Sequence, residues 1–266
     1  MDSGLRIQEK IDVVYPLSGM AKGPDDFELR YSLRSLERQP WIGKVFLVGQ
    51  VPKWIHDVHH IKCTDYWNAI YNKDQNIIKK MLCACVDERV SDPFVANSDD
   101  QYWLKEVAPE DMLIPPRENP CQLNKYLLPG RGLNVNRPFS NRWVKRQYDT
   151  LRFMRENKKS EIPFDGHVPY LIQKGKYLKT MAAIPWETGS GLLIVAYHGW
   201  NFQEDFNGYK IEQRDGVLVR IRADFKTEEI EEKAKDALFL NHNNKALSIG
   251  LTEFLKKKFP APSRWE

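Results

Sequence analysis

A strand-like apolar run, a helical stretch and a second apolar run of the same kind constrain this chain more than any other feature. The run "IDVVY", residues 11 to 15, stops at Pro16 and a Ser-Gly turn. "GPDDFELRYSLRSLERQPWIG" then reads as a helix. Pro24 and the acids Asp25 and Asp26 suit its first turn, Phe27, Tyr31 and Leu36 give it an inner face, and Pro40 ends it. "KVFLVG" is the second buried strand. Strand, helix and strand make a βαβ unit, which is parallel and right-handed. "NIIKKMLCACVDERV" adds a helix and Phe94 to Ala96 a third strand. Residues 1–105 thus read as a nucleotide-binding half, with its ligand edge at the carboxyl ends of the strands.

The second half is less regular. "MLIPPRENP" and "LLPGRGLNVNRP" are punctuated by Pro and Gly. A helix is expected over Asn141 to Arg155, because Val144, Tyr148, Leu151 and Met154 recur at spacings of 4, 3 and 3. "SGLLIVAYHGW" reads as a strand and "GYKIEQRDGVLVRIRADF" as a hairpin turning at Asp215-Gly216. "TEEIEEKAKDALFL" and "NNKALSIGLTEFLKKKF" read as amphipathic helices, with Leu247, Leu251, Phe254 and Leu255 on one face of the second. With no internal repeat or linker, the 266 residues are expected to form one α/β domain with a mostly parallel central sheet. Residues 106–266 would be its acceptor-side half. Hydrophobic residues at 42% and aromatics at 12% support a large core. No apolar run approaches the roughly 18–20 residues of a membrane-spanning helix. The opening residues lack the basic-then-apolar pattern of a secretory leader. The four cysteines (Cys63, Cys83, Cys85, Cys121) form no disulfide framework, so reduced thiols and the cytoplasm of a bacterial or phage-infected host cell are expected.

The third strand runs straight into "NSDDQYW". Adjacent carboxylates at Asp99 and Asp100 repel, and a cation in front of them relieves this; two solvated acids in a polar turn are the simpler alternative. Positive charge is also unevenly placed. From Arg137 to Lys159 the chain holds eight Lys or Arg against two acids, so a net +4 overall leaves the rest near −2. Such segregation suits a polyanionic partner (nucleic acid, nucleotide diphosphate or anionic glycan) as well as a merely solvated helix face. On a helix Arg142, Lys145 and Arg146 fall together, opposite the apolar residues. Trp143 and Phe139 lie near enough in sequence to stack on an extruded base, which makes a hydroxymethylated base in DNA one expected acceptor.

"IDVVYPLSG", "ELRYSLRSLERQPWIGKVFLVGQVPKWI" and "NSDDQYWL", with "YDTLRFM" and "HVPYLIQK" further on, resemble the signature blocks of the Stealth family. Those proteins are sugar-1-phosphate transferases of capsule synthesis and their lysosomal-enzyme-tagging relatives. Smaller phage-encoded glycosyltransferases share the blocks and are closer in size. The resemblance covers roughly residues 11 to 200. It implies a glycosyltransferase-A-like, Rossmann-like fold, a nucleotide-sugar donor, and a divalent metal, Mn²⁺ or Mg²⁺, held by Asp99 and Asp100. It also implies that His167 and Arg152 lie in the active site. The phosphotransferases' glutamate before the aspartates has no evident equivalent in "NKDQNIIKK", nor their downstream arginine in "IPWETGSGLLIVAYHGW". Glycosyl transfer to a hydroxyl of DNA or of a glycan is therefore the leading expectation. Sugar-1-phosphate transfer and a non-catalytic nucleic-acid-binding protein are the alternatives.

Hard cations with oxygen ligands suit a diphosphate donor, and Mg²⁺ often takes only one or two protein carboxylates. His167 can serve as general base or metal ligand, or simply be packed. His198, after a strand-like run, is a candidate third metal ligand, and Arg152 can pair with phosphate or sit on a helix face. Arg30 and Arg34, one turn apart, can reach the nucleotide or brace the strand-end loops. Lys73, Asn76 and Lys80 are donor-binding candidates at helical spacing. Tyr15, Pro16 and Leu17 end the first strand where a base docks. His56, His59, His60 and Cys63, with Cys83 and Cys85, only loosely match zinc spacing.

Overall fold

The alternating buried residues of the first strand organise the structure, a computed structural model that describes residues 10–18, 24–66, 73–112, 127–128, 132–133, 142–159, 167–187, 196–201, 218–242 and 247–266. β1 (Ile11–Leu17) runs through Pro16, two residues further than its sequence suggests. It pairs in parallel with β2 (Ile42–Gly49) on one side and β4 (Phe94–Ala96) on the other. β3 (His59–Ile61) extends the β2 edge in parallel, and β8 (Tyr170–Ile172) closes the other edge antiparallel to β4. The order β3-β2-β1-β4-β8 makes a mostly parallel, Rossmann-like α/β sheet, as the sequence predicts.

The two faces follow the period of two. Val14, Phe46, Val48, Phe94 and Ala96 point to one side. There α2 (Lys73–Val86), α3 (Arg142–Glu156), α4 (Lys174–Ala183) and α5 (Ala196–Asn201) contribute Ile78, Met81, Met154, Tyr177 and Tyr197. Val13, Tyr15, Val45, Leu47 and Val95 point to the other, against α1 (Phe27–Leu36). α1 buries Leu29, Leu33 and Leu36 on this sheet, whereas Phe27 and Tyr31 turn to a second core. Pro24–Asp26 is a short 3-10 turn before the helix, with Asp25 and Asp26 at φ 55° and 53°. The second core lies under a sheet of order β5-β10-β9, built from β5 (Gln101–Trp103), β10 (Phe239–His242) and β9 (Leu218–Ile221). α6 (Thr227–Ala234) and α7 (Ile249–Lys258) cover it. A two-stranded ladder, β6 (Leu127–Leu128) with β7 (Gly132–Leu133), is separate.

Two expectations are corrected. Residues 196–201 of the supposed strand "SGLLIVAYHGW" form a helix. The segment "TEEIEEKAKDALFL" is a helix only to Ala234, and its end becomes β10. The turn at Asp215-Gly216 lies outside the described residues, and β9 pairs in parallel with β10. Among the described residues no helix is long and apolar enough to cross a membrane.

Candidate active site

The helix after β1 covers one face and the helix before β4 the other, so the connections diverge between these two adjacent strands. Ligands of open α/β sheets bind in the crevice that such a divergence opens at the carboxyl ends of the strands. Leu17 ends one wall. Residues 97–100 leave the other, and Asp99 and Asp100 occupy the turn into β5.

That turn is fixed by buried hydrogen bonds. The backbone N–H of Asn97 donates to the Val14 carbonyl (3.0 Å), and that of Ser98 to Gln101 Oε1 (3.0 Å). Ser32 on α1 sits at the centre. Its hydroxyl donates to the Gln101 carbonyl (2.7 Å), receives Asn97 Nδ2 (3.2 Å), and lies 2.9 Å from the Tyr15 hydroxyl. Burial, with the charge of Asp99 a smaller contributor, raises the Tyr15 phenol, so it keeps its proton. Asp100 is 6% exposed, and its Oδ1 stands 3.7 Å from Nε2 of His167. The histidine precedes β8, is 39% exposed, and adopts φ 50°, unusual for a residue with a Cβ. Behind the turn, fully buried Tyr102 meets His242 Nε2 at 3.0 Å, itself 3.6 Å from Glu28 Oε1. Burial and then the carboxylates of Glu28, Asp100 and Asp99 raise the Tyr102 phenol.

Lys80 holds the opposite wall. Almost wholly buried, its ammonium donates to the Leu17 carbonyl (2.6 Å) and pairs with Asp65 (2.5 Å). Gly49 passes so close that a Cβ there would lie 2.3 Å from the Leu17 oxygen and 2.9 Å from Lys80 Cε, and its φ is 111°. Asn76 accepts the Tyr66 N–H (2.8 Å), and Lys73 is exposed at the start of α2. Lys80 and Asn76 thus brace the strand-end loops.

Several sequence candidates have other partners. Arg30 and Arg34 both bind Glu266 (3.1 and 2.7 Å), and Arg30 lies over the Trp54 ring, so they serve as the bracing pair. Arg152 is more than half exposed and pairs with Glu156 at 3.7 Å. His198 is buried in α5 with its ring edge-on to Tyr170 and Tyr197, and burial lowers its pKa to about 3. Among the described residues no three or more His, Cys, Asp or Glu side chains are grouped to hold a metal, which includes the loose zinc spacing. The paired aspartates fit only a cation that takes most of its ligands from water and phosphate. Lys145 pairs with Asp149 (2.5 Å) and Arg146 with Asp74 (3.1 Å); the side chains of Arg142 and Trp143, like Phe139 as a whole, lie outside the described residues. Sequence reading passed over Ser32, Asn97, Gln101, Glu28, Asn241 and His242. Only Asn97 carried a signal, as a polar residue directly after an apolar strand.

No family model matches the chain. Curated proteins do. The likeness is to a phosphotransferase. Over 97 residues the sequence is 31% identical to the N-acetylglucosamine-1-phosphotransferase subunits alpha/beta of Mus musculus and of Homo sapiens. The match takes in 33% of this chain and 8% of each relative, so the chain spans under a tenth of the length of those proteins.

Proposed function

We propose that the protein is a nucleotide-sugar-dependent glycosyltransferase that moves a sugar from its nucleotide donor to a hydroxyl acceptor. The observation that carries this is the pair Asp99 and Asp100 at the divergence between β1 and β4, with His167 set 3.7 Å from Asp100. Asp99 and Asp100 would hold Mn²⁺ or Mg²⁺, which neutralises a diphosphate leaving group when bound. His167, partly exposed, would take the proton of the incoming hydroxyl. Sugar-1-phosphate transfer is the second reading, favoured by the relatives' name. The two differ in the bond broken. Glycosyl transfer cleaves the anomeric C–O bond and releases a nucleoside diphosphate, whereas sugar-1-phosphate transfer cleaves the pyrophosphate P–O bond and releases a nucleoside monophosphate. A glycan hydroxyl suits the acceptor better than DNA, because Lys145, Arg146 and Arg152 are each paired with a carboxylate of this chain.

A panel of nucleotide sugars with Mn²⁺ or Mg²⁺, read for the nucleotide released, tests this. Diphosphate release that chelator and Asp100→Asn abolish, and that His167→Ala slows by about 10²–10⁴-fold, is expected. Monophosphate release selects the second reading. No release from any donor, with duplex DNA bound in a salt-sensitive way, leaves a nucleic-acid-binding protein instead.

A further inference from the structure

Asn241 is fully buried in β10, between the strand that follows Asp100 and the segment that carries His167. Its backbone is in register with Gln101, the residue after Asp100. Its side-chain Nδ2 donates to the His167 carbonyl at 2.7 Å. The contact falls where the chain needs holding, because His167 sits in the left-handed region at φ 50° without being a glycine. Stability alone does not call for an asparagine there. Its carboxamide oxygen is buried with no hydrogen-bond partner among the described residues, a cost that a leucine of similar shape would avoid. What the carboxamide supplies is the bond to His167.

We infer that Asn241 is a positioning residue that holds the strained His167 backbone so that the imidazole faces Asp100. This rests on the reading of Asp100 and His167 as members of the reacting site. β10 is thereby the common support of the two groups, since its ladder fixes the register of β5 just after Asp100 while its side chain fixes the approach to β8. Loss of the bond frees the imidazole without altering the donor's cradle, so turnover suffers and donor binding does not.

Two measurements on the full chain test this with Asn241→Leu and Asn241→Ala. The first needs no substrate. With ¹³C-labelled histidine, the His167 imidazole signal is the one of six that vanishes in His167→Gln. In the wild type Asp100→Asn should move it. In folded Asn241→Leu it should already be displaced and no longer respond to Asp100→Asn; a signal that stays in place and still responds overturns the inference. The second uses whichever nucleotide sugar the wild type turns over. kcat should fall about 100-fold with KM within about threefold. Asn241→Leu added to His167→Gln should cost nothing more, and an additive loss overturns the inference. A wild type inert toward every donor refutes the proposed function and leaves the first measurement decisive. Failure of both variants to fold makes Asn241 a determinant of the core and overturns its positioning role.

Discussion

His167 stands partly exposed beside Asp100, whereas His198 is buried between Tyr170 and Tyr197, where burial pushes its pKa down to about 3. The depression has a definite sign in the pH dependence of stability. Above pH 6.5 the imidazole is neutral folded and unfolded, so its burial costs no proton binding. Below 6.5 the unfolded chain takes up a proton that the folded chain refuses until about pH 3, and stability falls across that window. The slope from this one group is at most about 1.4 kcal/mol per pH unit. His198→Phe should remove it. Urea midpoints of wild type and variant should differ by a constant above pH 6.5 and shift progressively in the variant's favour below. Parallel profiles would show that His198 is open to protons in the folded state.

The elements most legible in the sequence were those with a long, clean period. β1, α1, β2 and α2 stand close to where the apolar runs of the first half place them, and α3 follows the 4-3-3 spacing of Val144, Tyr148, Leu151 and Met154. The three-residue edge strands are different from β4, whose apolar run stands out. β3 and β8 exist because an edge of the sheet was open to pair with, and their own residues do not announce that. β10 misled for a related reason. "LFL" continues the preceding helix's apolar spacing, and only its partners β5 and β9 make it a strand. The same limit applies to the site. The aspartates were legible as a local pair, but the approach of His167 to Asp100, and of Asn241 to Gln101 and His167, is a product of strand pairing between residues more than 60 positions apart. Gly49 is the exception in which one residue serves an element junction. Gly49→Ala would drive a Cβ into the Leu17 carbonyl and Lys80 while holding φ near 111°. Destabilisation of about 1–3 kcal/mol is expected from the urea midpoint. Should the variant match the wild type, the β1–β2 wall of the crevice is looser than its packing indicates.

At the scale of the whole molecule the two sheets are joined through α1, which gives Leu29, Leu33 and Leu36 to one core and Tyr31 to the other. Segment 263–266 is bolted onto this shared helix. Trp265 is buried in the first core and its carbonyl accepts the His56 N–H. Glu266 takes Arg34 through two bonds of 2.7 and 2.8 Å and Arg30 through one of 3.1 Å. Burial alone would raise the Glu266 carboxyl. The hydrogen bonds from Arg34, the Ser263 N–H and Arg30, with the charge of Arg34, more than reverse this and lower it from 4.5 to about 2. A carboxyl depressed by folding contributes stability that is complete above its unfolded value and lost as pH falls through its folded one. Glu266→Gln should therefore melt below the wild type by a constant margin from pH 7 to about pH 5. The margin should shrink between pH 4.5 and 2 and vanish once both chains carry a neutral side chain there. Added salt should narrow it only slightly, because the carboxylate is 6% exposed and little of its field passes through solvent. A margin that persists unchanged at pH 2 would mean that Glu266 holds the helix by shape and neutral hydrogen bonds, and that the arginines of α1 are available to other anions.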